Sequence, residues 1–361
     1  MEGNEDPASS QLDVPLDESI HGCHNIAMPA ESPPQLSSPG HDATARFRGR
    51  VLVAIAALLW STSGLFAKAP YFAGWPGPTL AFWRALFACV ILVPLALWHV
   101  CNRRSGEHPL WSWALIPMTL LFAAMNYTYL TAMAEGSAAN AIWLQCTAPV
   151  WVLLVGVFVF GEHSSWRDWV LIAFVAAGVG LILIYESRGA SLPAVLWGLA
   201  AGVMYAGVVL SLRQLRAFDS AWLAMLNHTV TVAVLMPLAL QWIADPLIAE
   251  RAASTTAAPR LFPQGIQWVL LAAFGILQMG LPYVLFARGL RHIPGHEATA
   301  IGLLEPIVMP IWVLLVWDQA PRWWTIAGGG LILAGLALRY VFVPPAPTLL
   351  PPEAVGLEDP S

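Results

Sequence analysis

From Val51 onward the chain is a succession of apolar runs, at 51–69, 77–100, 111–133, 137–160, 167–185, 192–212, 221–242, 266–288, 296–317 and 323–343. Each is close to the ~20 residues that carry an α-helix, at ~1.5 Å per residue, across a hydrocarbon core of ~30 Å. The joints between them are short and hold Gly, Pro or charge, as from Cys101 to Gly106 and from Glu162 to Arg167. Only the joint from Ile243 to Gly265 is long. Tryptophans gather near the ends of the runs (Trp75, Trp98, Trp111, Trp113, Trp166, Trp169, Trp242, Trp268, Trp323, Trp324), where a bilayer's headgroup layer suits an amphipathic ring. The pattern predicts an all-α integral membrane protein of about ten transmembrane helices.

Composition agrees. Only 11% of the residues are charged and 58% are hydrophobic, with a mean hydropathy of +0.64, and no soluble fold of this size hides so much apolar surface. Residues 1–45 differ from the rest, with eight carboxylates, no Lys or Arg, and many Pro and Ser. Residues 1–50 are therefore read as a disordered acidic tail, and 344–361 as a Pro-rich C-terminal tail. Within residues 1–45 there is no basic region followed by an apolar stretch, so no cleavable signal peptide is expected and the run at Val51 is expected to serve as both targeting signal and first span. The four cysteines are scattered, which speaks against a disulfide framework or zinc site. With a net charge of −5 and no basic stripe, nucleic acid is not an expected partner.

Basic residues set the expected orientation. With the N-terminus inside, the cytoplasmic side holds Arg46, Arg48, Arg50, Arg103, Arg104, Arg167, Arg213, Arg216, Arg288, Arg291 and Arg339. The other side holds only Lys68, Arg188, Arg251, Arg260 and Arg322. Both termini are expected to be cytoplasmic, in a plasma (inner) membrane.

An offset of 157 residues superposes parts of the two halves: Ala141 on Ala298, Pro149 on Pro306, Ala177 on Ala334, Gly178 on Gly335 and Tyr129 on Phe286. The expected division is a first five-helix unit at 51–190 and a second at 191–343. Because five is odd, equivalent helices would cross in opposite directions, an inverted repeat of the kind that rocks around a midplane site.

A family resemblance rests on particular residues. Leu59 to Gly64 in the first run, Phe82-Trp83-Arg84 in the second, and Ala148-Pro149-Val150 followed by Phe160-Gly161-Glu162 in the fourth are similar to EamA-type transporters of the drug/metabolite transporter superfamily. So are Glu305-Pro306 in the ninth run and the Gly-rich tenth (Gly328 to Gly330, Gly335). The likeness runs from about Val51 to Val343, and one departure is Trp317-Asp318-Gln319 where the family would have Gly-Glu. The resemblance implies a secondary carrier exporting small metabolites such as amino acids or organic compounds by alternating access, with no cofactor and no enzymatic reaction. Since the two halves are present in one chain, a monomer is expected.

Two buried charges are the leading site candidates. Glu305 lies about nine residues into its run, roughly 14 Å deep, where a carboxylate is costly and functional by default. A proton-coupling group or a contact to a substrate amine are its two readings beside a structural tie. Pro306 removes a backbone N–H just after it. Arg84, seven residues into its run, could snorkel, pair with Glu305 or attract an anion. A second tier of polar and aromatic groups, either interhelical ties or pocket contacts, comprises Trp60, Ser63, Asn126, Tyr129, Trp143, Gln145, Tyr205, Asn227, Gln278 and Tyr283. Pro149 and Pro306 are expected hinges. Glu162 is expected to cap a helix end beside Arg167. His292, His296 and Glu297 straddle Pro294-Gly295, which argues against a metal site. No P-loop occurs, so nothing suggests an ATP-driven pump. A scaffold or sensor, and a membrane-embedded lipid enzyme, are the alternatives.

Overall fold

The structure is a computed structural model that describes residues 39–102, 109–187, 191–244 and 262–341. Regular structure within them is helical. Ten helical segments follow one another, six of them unbroken: α2 (Gly77–Asn102), α3 (Leu115–Glu135), α5 (Trp166–Glu186), α6 (Leu192–Gln214), α7 (Ser220–Ala244) and α10 (Trp323–Tyr340), which closes the series. Four others are interrupted. α1 breaks after Pro39–Trp60 (α1a) and resumes as Ser63–Ala67 (α1b). α4 is split into Ala138–Gln145 (α4a) and Ala148–Phe158 (α4b), and α9 into Gly295–Gly302 (α9a) and Leu304–Trp317 (α9b). α8 runs from Ile266–Gly275 (α8a) through a π-helical turn, Ile276–Gly280, into Leu281–Gly289 (α8b).

Nine of these segments are long and apolar enough to span a membrane among the described residues. α10 has 18 residues, with Trp323 and Trp324 at one end and Arg339 and Tyr340 at the other lowering its mean hydropathy. It lies full length beside α5. The first helix starts at Pro39, ahead of the boundary at Val51 drawn from hydropathy. Arg46, Arg48 and Arg50 are good helix formers, and Arg50 is drawn into an ion pair with Glu297. The acidic segment before it, the centre of the long joint and the C-terminal tail lie outside the described residues, as do Arg251 and Arg260.

Backbone groups freed inside an apolar bundle must find partners, and the breaks provide them locally. At the α1 break the Ser61 and Thr62 hydroxyls donate to the carbonyls of Leu58 (2.7 Å) and Leu59 (2.6 Å). At the α4 break Thr147 donates to Leu144 O at 2.7 Å. Pro149 is the second residue of α4b and Pro306 the third of α9b, positions where the missing N–H costs nothing.

The helices pair in a regular way. α3 packs along α6 and α1 along α8; α4 packs on α6 and α9 on α1; α3 meets α7 and α8 meets α2; α2 pairs with α7 and α5 with α10. This scheme is unchanged when the first five helices are exchanged in order with the last five. At the α5–α10 seam the backbones touch: a Cβ on Gly178 would sit 2.5 Å from Gly328 O, and one on Gly328 2.7 Å from Gly178 O. Only glycine fits there.

The bundle's two ends are held differently. The end where α1 begins is rich in arginine, and four polar bridges cross it: Arg50–Glu297, Arg213–Glu162 (2.9 Å), Arg339–Asp168 (2.7 Å) and His99–Asp219 (3.0 Å). Each joins the first five helices or their connections to the last five. Glu162 thus pairs across the bundle with Arg213, not with its sequence neighbour Arg167, whose guanidinium sits over Trp166 instead. Asp219 also caps α7, accepting from the backbone N–H of Ala221 and Trp222 at 2.9 and 3.0 Å. Burial pushes its carboxyl up, but the bonds from His99 and those two amides outweigh that and hold it below the usual range. The opposite end is tied by indoles and one lysine. Trp317 donates to Leu65 O (2.8 Å) and Trp324 to Glu186 (3.1 Å). Lys68 donates to Gly136 O (2.5 Å), and burial lowers its ammonium below the ordinary value.

Candidate functional site

The α4 and α9 breaks both lie at mid-bundle, and polar groups from six helices converge beside them. Glu305 begins the first turn of α9b. Its carboxylate is within electrostatic reach of Arg84 on α2, Tyr129 on α3, Cys146 in the α4 break, Tyr205 on α6 and Tyr283 on α8b. Yet it makes no hydrogen bond or ion pair among the described residues. Glu305 keeps part of its surface accessible, and Tyr205 is 42% exposed, although both face this ring of helices. An unpaired carboxylate at that depth is costly and is a functional candidate by default.

Arg84 occupies the other side. It is 2% exposed, donates through its guanidinium to Asn126 Oδ1, and lies over the rings of Phe274 (5.2 Å) and Tyr129 (6.0 Å). Asn126 is itself fixed by donating to Phe122 O at 2.9 Å. Of the three readings of Arg84, its burial excludes snorkelling, and among the described residues it forms no direct pair with Glu305, though the two charges influence each other. The Arg84 Nε has no partner, so the guanidinium holds a donor in reserve.

Aromatic groups form the wall. Trp60, at the end of α1a, meets Tyr283 edge-on at 5.5 Å and Phe286 at 5.3 Å. His228 on α7 contacts Tyr283 at 5.5 Å and Phe122 at 5.1 Å. Gln278, in the π turn, donates to Trp60 O at 3.2 Å, bracing the α1 break, while its Oε1 is buried without a partner. Toward the end away from the arginines, Ser63 meets the Tyr129 hydroxyl at 3.1 Å and Met309 Sδ at 3.1 Å. Trp312 donates to Ser61 at 3.0 Å.

The structure thus brings Glu305, Arg84, Asn126, Tyr129, Tyr205, Tyr283, Trp60, Gln278 and Ser63 into one neighbourhood. Trp143 plays a different part. Its Nε1 donates to Pro306 O at 2.9 Å, and its ring lies so close to Gly329 that a Cβ there would be 2.1 Å from Cδ2. Trp143 is a strut between α4a, α9b and α10. Gln145 is half-buried at the end of α4a with no polar partner, and Asn227 is buried on α7 with its Oδ1 unpaired. Neither is tied to the cluster. Cys146 was not among the residues that sequence reasoning singled out; its position in a helix break three residues before Pro149 was the available signal. Among the described residues no three His, Cys, Asp or Glu side chains gather as a metal site would require, and Glu297 is engaged by Arg50.

Comparison with known proteins supplies the frame. The profile of the EamA-like transporter family matches twice, at residues 47–184 and 192–341. The chain is 22% identical over 293 residues to an uncharacterized transporter of Archaeoglobus fulgidus, covering 81% of this chain and 96% of that one. It is 27% identical to the pseudopaline exporter CntI of Pseudomonas aeruginosa, over 60% of this chain and 72% of the relative. It is 25% identical to the S-adenosylmethionine uptake transporter of Rickettsia prowazekii, over 70% and 79%. A crystal structure aligns with a TM-score of 0.54 at 16% identity, covering 83% of this chain and 98% of the other, a likeness of fold.

Proposed function

Since the chain belongs to the EamA-like transporter family, we propose that it is a secondary carrier of small metabolites, working by alternating access around the cavity at Glu305. The observation that carries this reading is Glu305 itself: an unpaired carboxylate at a mid-bundle helix break, faced by polar groups of five other helices. A carboxylate so placed takes up either a proton or a substrate ammonium, and both change its charge during a transport cycle. The arginine-rich end is the cytoplasmic one, so both termini are cytoplasmic. Direction of net flux follows from the gradients available rather than from the fold; relatives named for export and for uptake accord with that.

Several observations support two inverted five-helix units as the moving parts. Pro149 and Pro306, 157 residues apart, each follow a helix break. Gly178 and Gly335, at the same offset, both lie in the α5–α10 seam. Gly161, three residues past the end of α4b, and Asp318, which caps α9b, again at that offset, both have a positive φ, 67° and 52°. The Trp317-Asp318-Gln319 departure therefore keeps the helix ending: aspartate tolerates that conformation better than most residues. Trp60, Arg84, Asn126, Tyr129, Tyr205 and Tyr283 are proposed as the cavity's contacts, with Pro149 and Pro306 at the points of bending.

Flux of a radiolabelled metabolite panel into proteoliposomes, with and without a pH gradient, tests the proposal beside Glu305→Gln. Saturable flux in the parent and its loss in the variant support it. Folded protein with no saturable flux across the panel counts against a carrier, and flux unaffected by Glu305→Gln removes that residue from the mechanism.

A further inference from the structure

A cleft of about 300 Å³ opens at the end of the bundle away from the arginines. Its walls are the α3–α4 turn, the end of α5, the segment before α6 and the α9–α10 connection, and Pro310 and Val313 of α9b contribute to it. The contacts Ser63–Tyr129–Met309 and Trp143–Pro306 lie between it and Glu305. The cleft is therefore separate from the cluster around Glu305.

Its polar lining includes two carboxylates, Glu135 and Glu186, and the amide of Asn140. Glu186 is a buried carboxylate, 6% exposed, and accepts from Asn140 Nδ2 (3.1 Å), Trp324 Nε1 (3.1 Å) and the Ser191 hydroxyl. All three donors are neutral, so the negative charge stays uncompensated by them. Asn140, also 6% exposed, turns its amide nitrogen to Glu186 and leaves Oδ1 buried with no partner. Such an orphan acceptor is rare in a folded protein and asks for a donor. Glu135 stands exposed on the rim, without a partner among the described residues. Among the described residues two cations are nearby. Lys68 is committed to Gly136 O. Arg322 is exposed, lies over the Trp324 ring at 5.1 Å, and attracts Glu186 from a distance without forming an ion pair.

We propose that this cleft is a docking site for the protonated amine of a small solute, on the face that the transport reading places outside. An ammonium brings three donors and one positive charge. Asn140 Oδ1, the free lone pairs of Glu186 and the Glu135 carboxylate are acceptors suited to it. Arg322, on the rim, is placed to take a carboxylate when the solute is a zwitterion. The site rests on the carrier reading only for its role as a waiting position; binding itself does not require transport.

Saturation-transfer NMR on the full-length protein in detergent, with ethylamine, glycine and acetate as probes at fixed ionic strength, tests the site. Ethylamine and glycine are expected to bind and acetate not to. Glu135→Gln, an exposed change that leaves the packing alone, should weaken both amines several-fold, and Glu186→Gln should remove the signal. Arg322→Gln should weaken glycine but not ethylamine if zwitterions are the natural ligands, and neither if plain amines are. Amine signals that survive both glutamate substitutions, or that are lost in Glu305→Gln instead, overturn the proposal. Amine binding without flux would defeat the carrier reading and spare this site. Glu305-dependent flux without amine binding would do the reverse.

Discussion

The helices α4 and α9 are built alike and equipped differently. Both break at mid-bundle, both restart with a proline in the first turn, and a residue of positive φ follows each, Gly161 after α4b and Asp318 at the end of α9b. At the common offset of 157, however, Ala148 stands where α9 has Glu305. Gln145 and Cys146, uncharged, occupy the α4 break. A broken helix is thus a shape that can be repeated, while the charge that gives the shape a chemistry is present on one side only. Trp143 links the two, reaching from α4a to the carbonyl of Pro306, so the uncharged break acts as a support for the charged one.

That contrast can be tested by exchanging its parts. The largest effect should come from Ala148→Glu. Ala148 is buried, and a second carboxylate at mid-span, less accessible than Glu305, should cost about 2.5–3.5 kcal/mol; a fall in thermal midpoint and in recoverable folded protein would show it. Glu305→Gln should leave folding intact but lower coupled flux by more than ~10-fold, equivalent to ~1.4 kcal/mol in the barrier, measured in proteoliposomes under a pH gradient. If both helices tolerate each other's residue, the asymmetry is decorative. Trp143→Phe keeps the ring but strands the Pro306 carbonyl, and should destabilise by ~1–3 kcal/mol in a melting assay. Smallest of all, Asp318→Gly should stabilise by a few tenths to ~1 kcal/mol by relieving the left-handed backbone, and Gly161→Asp should cost about as much.

Depth along a helix was legible in the sequence; direction around it was not. Run lengths placed Glu305 at mid-span, prolines located two breaks, and arginines marked one end. But a bundle helix that is apolar on every side has no polar stripe to show which way a given residue faces. That is why Trp143, read beside Gln145 as a candidate contact, turns out to brace α9b and pack on Gly329. It is also why Arg84 meets Asn126 rather than Glu305. The boundary at Val51 misplaced the helix start for the opposite reason. Hydropathy stops at the bilayer, whereas a helix continues into water when its charges find partners, as Arg50 does with Glu297. The four cross-bundle bridges were equally invisible, since they depend on which helix ends become neighbours.

The π turn from Ile276 to Gly280 has a consequence for helix phase. A π turn carries one residue more than the α-helical path needs, and each residue of an α-helix advances ~100° around the axis. Removing that residue, for instance by deleting Met279, would restore a plain helix and spin everything after it by about a quarter-turn. Tyr283 and Phe286 would then rotate off Trp60, and Gln278 would be the last residue of α8 still facing the site. A single codon, on this view, sets which face of α8b looks inward.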